Sequence, residues 1–223
     1  MKQLLIVLTT SLICLAAQPG LAQDGLAAKI TAARKSNAAL MKQYSWQSRT
    51  ELLDNGKVAD TRIELVTYGP TGELQRSLLN DESSPLPRGF VRRRIAEREK
   101  EKVEQYLTGL RKLLDQYTLP SAGKVLDFVD SATIQAPDAN GLLQITGNSV
   151  VISGDTYTLS IDAATRQTRK LSITTTFNGD PVIATATFKT LASGLTHLEF
   201  AEVDVAAKAM KLQLQNFNYN ANN

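Results

Sequence analysis

The stretch TYTLSIDAATRQTRKLSITTTFNGDPVIATATF, residues 156–188, decides the fold. Three segments in it alternate with a period of two. Over 156–161 the apolar face is Tyr157, Leu159 and Ile161. Over 169–177 it is Leu171, Ile173, Thr175 and Phe177, opposite Ser172, Thr174 and Thr176. Over 182–190 it is Val182, Ala184, Ala186 and Phe188. Asp162 to Thr168 and Asn178-Gly179-Asp180-Pro181 separate the segments with turn residues. Antiparallel strands joined by short turns, dry on one side and wet on the other, produce this pattern.

The same reading extends in both directions. On the C-terminal side, strands are predicted at 195–205 and 209–219, with Met210, Leu212 and Leu214 opposite Lys211, Gln213 and Gln215. On the N-terminal side, strands are predicted at 132–136, 142–146 and 149–152. Farther back lie 45–53, 58–68 and 73–79, the first two joined by Asp54-Asn55-Gly56. Helical spacing marks 24–43, where Leu26, Ile30, Ala33, Asn37, Leu40, Met41 and Tyr44 recur, and also 89–118 and 122–130. Leu119-Pro120 ends the long helix, and Ser121 caps the next one. No segment alternates strands with helices, which argues against a parallel α/β sheet. The expected class is α+β, an antiparallel sheet with one apolar face covered by the three helices.

The first 22 residues have the layout of a secretory signal peptide. Lys2 precedes an apolar run from Leu4 to Ala17, and Gly20 and Ala22 are the small residues of a cleavage site before Gln23. The run falls short of the roughly 20 residues a membrane-spanning helix needs. The expected organisation is a signal peptide at 1–22 and a single domain over 23–223, periplasmic or secreted, with no transmembrane segment. Cleavage removes Cys14, the only cysteine, so disulfides, thiolate nucleophiles and cysteine metal sites drop out. The formal net charge of +3 is too small to imply a nucleic-acid partner.

No residue set names a reaction. His197 is the only histidine and stands between apolar neighbours, so neither a metal site nor a Ser/His/Asp set is expected. No P-loop, dinucleotide fingerprint or G-x-S-x-G is present, and no cofactor is expected. Asp155, Asp162 and Asp180 sit in or beside turns, where turn chemistry accounts for each; a pair of them would be needed for acid–base work. Arg92-Arg93-Arg94 opens a run in which Arg93–Glu97 and Lys100–Glu104 are four apart, the spacing of a solvated helix face. Its arginine end is the candidate surface for an envelope protein or a lipid headgroup. Tyr44 and Trp46 begin the first strand, as ligand-mouth residues or as a helix–sheet anchor.

The unit Leu159-Ser160-Ile161-Asp162-Ala163-Ala164-Thr165-Arg166-Gln167-Thr168-Arg169-Lys170-Leu171 is a strand, an Asp, a Thr-containing turn and a strand with charge before an aliphatic residue. With the export signal, the N-terminal helix and the strand Val182 to Phe188, the chain resembles the LolA/LolB-type periplasmic lipoprotein carriers, as an exported bacterial branch beside the carriers themselves. The resemblance implies a sheet curved into an incomplete barrel whose concave apolar face is covered by helices. Carriers of that type hold acyl chains in this space.

The expected function is therefore non-enzymatic binding of a lipid or lipoprotein acyl chain. Trp46, Ile63, Leu65, Leu159, Ile161, Ile173, Phe188 and Leu212 are the expected walls of the ligand space, or plain core if the space is filled. In that second case the chain is an envelope interaction or sensing module, and Arg92, Arg93 and Arg94 are its contact surface.

Overall fold

The computed structural model describes residues 19–83, 90–119 and 121–222. Helix α1 (Pro19–Met41) leads into a hairpin trio, β1 (Tyr44–Asp54), β2 (Lys57–Tyr68) and β3 (Leu74–Ser83). Helices α2 (Phe90–Gln116) and α3 (Ala122–Ser131) follow. The remainder is a meander: β4 (Thr133–Ile134), β5 (Leu142–Asn148), β6 (Thr156–Asp162), β7 (Thr168–Phe177), β8 (Asp180–Thr190), β9 (Thr196–Val205) and β10 (Met210–Ala221). The predicted signal segment lies outside the described residues up to residue 18, and α1 begins four residues before the expected cleavage point.

All ten strands join one antiparallel sheet in the order β3-β2-β1-β10-β9-β8-β7-β6-β5-β4. Every neighbour but one is a sequence neighbour. The exception is β1 with β10, which runs from Tyr44↔Ala221 to Asp54↔Met210 and joins the N-terminal trio to the C-terminal meander. The sheet is curved and open, with β3 and β4 as its edges. Two hairpins turn where the sequence places Asn-Gly: Asn55 and Gly56 have φ of 51° and 74°, Asn178 and Gly179 φ of 52° and 85°. Successive positive φ values match the right-handed twist of the strands they connect.

Register carries the dry face across the sheet as continuous rows. One row is Leu52, Leu212, Val203, Ala184, Ile173, Tyr157 and Gly147, from β1 to β5. The next is Thr50, Leu214, Ala201, Ala186, Leu171, Leu159 and Ile145. On the opposite face Lys211 Nζ reaches Glu202 and Asp204 at 3.1 and 3.0 Å.

The helices cover the dry face in two places. Ala27 and Ile30 of α1, Val125, Phe128 and Val129 of α3, and Tyr117 and Leu119 pack on Leu143, Ile145, Tyr157, Leu159, Ile161 and Ile173. Leu110 of α2, with Tyr106, Leu107 and Leu114 beside it, packs on Val182, Val205 and Met210. At ~25 cal/mol per Å² of apolar surface removed from water, these two clusters supply most of the stabilisation. Two glycines allow helices close to the sheet: a Cβ at Gly109 of α2 would stand 2.6 Å from the Phe177 ring, and one at Gly147 would stand 2.8 Å from the Phe128 ring and 2.9 Å from Val150.

Three local expectations change. Residues 149–152 are not a strand, because their backbone N–H groups turn inward onto Asp155. The strand expected at 132–136 shortens to Thr133–Ile134. In β2, Trp46 faces Val66 and Ser48 faces Glu64, so Val66 and Tyr68 occupy the helix-covered face. Ile63 and Leu65 lie opposite Arg49 and Gln47 on the other face.

Candidate ligand cavity

A cavity of about 420 Å³ opens between α1 and the covered face of the sheet. That volume is within the range of small-molecule sites. Its roof is Ala33, Arg34, Asn37, Ala38 and Met41, spaced along one side of α1. Its floor is Tyr157, Leu159, Leu171, Phe188 and Leu198, from four successive strands. Tyr68 closes one side and Tyr117 and Thr118, after α2, another. Arg166, Gln167, Thr168 and Thr196 form a polar rim. The space exists because the α1 side chains above the floor are short: two alanines and an asparagine stand where bulky apolar groups would fill it.

Two hydrogen-bonded anchors hold α1 over this space. Asn37 Nδ2 donates to the Thr196 carbonyl and the Thr196 N–H donates to Asn37 Oδ1, both at 2.7 Å. The side-chain amide thus pairs with the start of β9 as another backbone would. One turn earlier, Arg34 donates to the Leu119 carbonyl at 3.1 Å and to the Thr118 carbonyl. These carbonyls follow the end of α2, where the helix leaves acceptors without internal partners.

The rim is built on the turn between β6 and β7. Asp162 accepts from the N–H groups of Ala164 and Thr165 at 3.0 and 2.9 Å and pairs with Arg169 at 3.2 Å. The Thr165 N–H, with Arg169 and Ala164 adding to it, pulls the Asp162 carboxyl down to about 2. Arg166 holds φ of 61°, in the left-handed region, and its N–H closes the turn onto the Asp162 carbonyl at 2.8 Å. Gln167 donates to the Gly194 carbonyl at 3.1 Å and accepts from Thr190, whose hydroxyl lies 2.8 Å from that of Thr196. The β6–β7 and β8–β9 turns are therefore tied together beneath the end of α1.

Behind Tyr117 lies a buried polar knot. The Tyr117 hydroxyl donates to Asp155 Oδ2 at 2.7 Å and stands 2.9 Å from Thr175 Oγ1. Asp155 also accepts from the N–H groups of Val150, Val151 and Ile152 at 2.6, 2.8 and 2.7 Å. Burial works against its charge, but the Ile152 N–H, the Tyr117 hydroxyl and the Val151 and Val150 N–H groups outweigh it and hold its pKa below the ordinary value. Burial pushes Tyr117 and Tyr157 up to about 12, so both face the cavity region as neutral phenols.

Of the residues expected to line the space, Leu159 and Phe188 stand on its floor. Ile161 and Ile173 lie in the core around α1 and α3. Leu212 is on the covered face beside Leu52. Trp46 sits one ring back: it stacks on Tyr219 at 5.6 Å and tilts against Tyr68 at 6.0 Å. Ile63 and Leu65 are on the far face. The side chains of Arg92, Arg93 and Arg94 lie outside the described residues. His197 is buried against the Tyr219 ring at 4.0 Å. Asp180 accepts from Tyr106 at 3.1 Å and pairs with Lys208 at 3.3 Å, so each turn carboxylate has its own structural partners.

Sequence reasoning passed over Arg34, Tyr68, Tyr117 and Arg166. For Asn37 a signal was present, since it is a polar residue on the apolar repeat of α1.

Among the described residues no group of three or more His, Cys, Asp or Glu could hold a metal ion. Nor is any helix long and apolar enough to cross a membrane. No protein-family model matches the chain, and no curated protein matches it in sequence. Among solved structures, it is similar to a DUF1329 family protein from Desulfovibrio piger, at 10% identity and a TM-score of 0.38, over 92% of this chain and 94% of that one. It is also similar to a LolA superfamily protein from Nitrosomonas europaea, at 10% identity and a TM-score of 0.31, over 87% of this chain and 94% of that one. Likeness at this level carries no function from either protein to this chain.

Proposed function

We propose that this chain binds a hydrophobic ligand, a lipid or acyl chain, between α1 and the covered face of the sheet, and does so without catalysis. The carrying observation is the cavity itself, about 420 Å³ with an apolar floor beneath a roof of short side chains. The signal-like Met1–Ala22 segment supports export and cleavage, leaving 23–223 as one domain outside the cytoplasm. The turn carboxylates support a non-enzymatic reading: Asp155 and Asp162 hold their own loops, and Asp180 is engaged by Tyr106 and Lys208.

The test is lipid uptake. The purified protein is extracted with organic solvent for mass spectrometry, and binding of the uncharged fluorophore N-phenylnaphthylamine is followed by titration. Wild type is expected to bind the probe. Ala38→Trp sets an indole into the cavity from the exposed side of α1 and is expected to weaken uptake at least roughly tenfold with Tm unchanged. Wild type that takes up no probe, or a tryptophan variant that binds undiminished, overturns the reading.

A further inference from the structure

The cavity wall is asymmetric in charge. Among the described residues its ionisable lining is Arg34, Arg166 and the tyrosines Tyr68, Tyr117 and Tyr157, with no Asp or Glu. The two arginines are not equivalent. Arg34 already donates to the Thr118 and Leu119 carbonyls. Arg166 is half-buried, and its Nε is shielded from solvent with no hydrogen-bond partner among the described residues. Asp162, the carboxylate of the same turn, is taken by Arg169 and by the N–H groups of Ala164 and Thr165. A guanidinium nitrogen held out of water without an acceptor is costly, and a planar fork suits a carboxylate or a phosphate. Gln167, Thr168 and Thr196 surround it with neutral polar groups, while Leu159, Leu171, Phe188 and Leu198 continue the wall as an apolar floor.

We propose that the cavity takes an amphiphile with an anionic head, an acyl chain ending in a carboxylate or a phosphate, and that the Arg166 guanidinium receives that head. The inference rests on the cavity being a ligand site and adds the class of ligand. Arg166 holds its left-handed backbone at the cavity rim, and Asp162 in the same turn pairs with Arg169.

Displacement of bound N-phenylnaphthylamine by three ligands with the same chain tests it: oleate, oleoyl lysophosphatidate and the uncharged oleyl alcohol. Wild type is expected to bind at least one of the two anions about tenfold more tightly than the alcohol. Arg166→Asn, a residue that tolerates the left-handed region, is expected to erase that preference while leaving the alcohol's affinity unchanged. Arg166→Lys is expected to retain part of it. The alcohol is thus a folding control within each variant. Which anion is preferred separates a carboxylate from a phosphate head. Inorganic phosphate is run in parallel by calorimetry: binding that depends on Arg166, when neither anionic amphiphile outbinds the alcohol, identifies a free anion, and the amphiphile proposal falls. Equal affinity for all three ligands, or a preference that survives Arg166→Asn, overturns the proposal and leaves the cavity reading standing. Failure of every ligand and of the probe to bind overturns both.

Discussion

Asp155 shows how one side chain decides a segment. Val150-Val151-Ile152 has the composition of a strand, yet its three N–H groups end on the Asp155 carboxylate, and Tyr117 adds a fourth donor from the end of α2. Hydrogen bonds to a charged, buried acceptor contribute about 1.5–3 kcal/mol each, so the carboxylate outcompetes a sheet ladder in this loop. Asp155→Asn removes the charge and is expected to destabilise the protein by about 2 kcal/mol at neutral pH, read from denaturant titration. The pH dependence follows from the depressed folded pKa. Stability from a carboxylate held below its unfolded value of 3.8 is present above that pH and is lost as pH falls through the folded pKa. The gap between wild type and Asp155→Asn should therefore close as pH drops below 3.8. Asp162 adds to the acid sensitivity of the wild type over the window from about 4 to about 2. None of this was legible in Ser149 to Gly154, because the acceptor that organises the loop comes after it and its fourth donor, Tyr117, stands just past the end of α2.

Helix α1 illustrates the limit of periodicity in an element. Its repeat of Leu26, Ile30, Ala33, Asn37 and Met41 correctly points one side toward the sheet, and Ala27 and Ile30 enter the core. The repeat does not reveal that the C-terminal half stands over empty space. There the apolar contact fades and Asn37 takes over, bonding both backbone groups of Thr196. Asn37→Ala leaves the Thr196 N–H and carbonyl without those partners, at an expected cost of about 1–3 kcal/mol. Most of that cost should appear locally. Hydrogen exchange is expected to accelerate across residues 33–41 and at Thr196, with little change in β6 and β7. Uniform acceleration through the whole chain would instead mean that α1 and the sheet unfold as one unit.

The sheet as a whole depends on one long-range seam. The trio β1–β3 reaches the meander β4–β10 through β1 and β10, whose paired residues are separated by most of the chain. Removal of Met210–Asn223 leaves β1 and β9 each with an open edge and the trio without its seam. The expected outcome is loss of the single cooperative thermal transition in calorimetry and self-association in size-exclusion chromatography. Local alternation was enough to identify most of the strands, the two Asn-Gly hairpins and the antiparallel α+β class. These depend on neighbours within a few residues, and side-chain spacing along the chain records them. Alternation also divides β2 into two faces, but it does not say which is inside. Ile63 and Leu65 look as suitable as Val66 until Trp46 is paired with Val66, and a one-residue difference in register reverses every side chain. The cavity and the Arg166 nitrogen that lacks a partner among the described residues are later still in that order. They arise where α1, the end of α2 and two turns meet, and such a void depends on the distances between elements that are far apart in the chain.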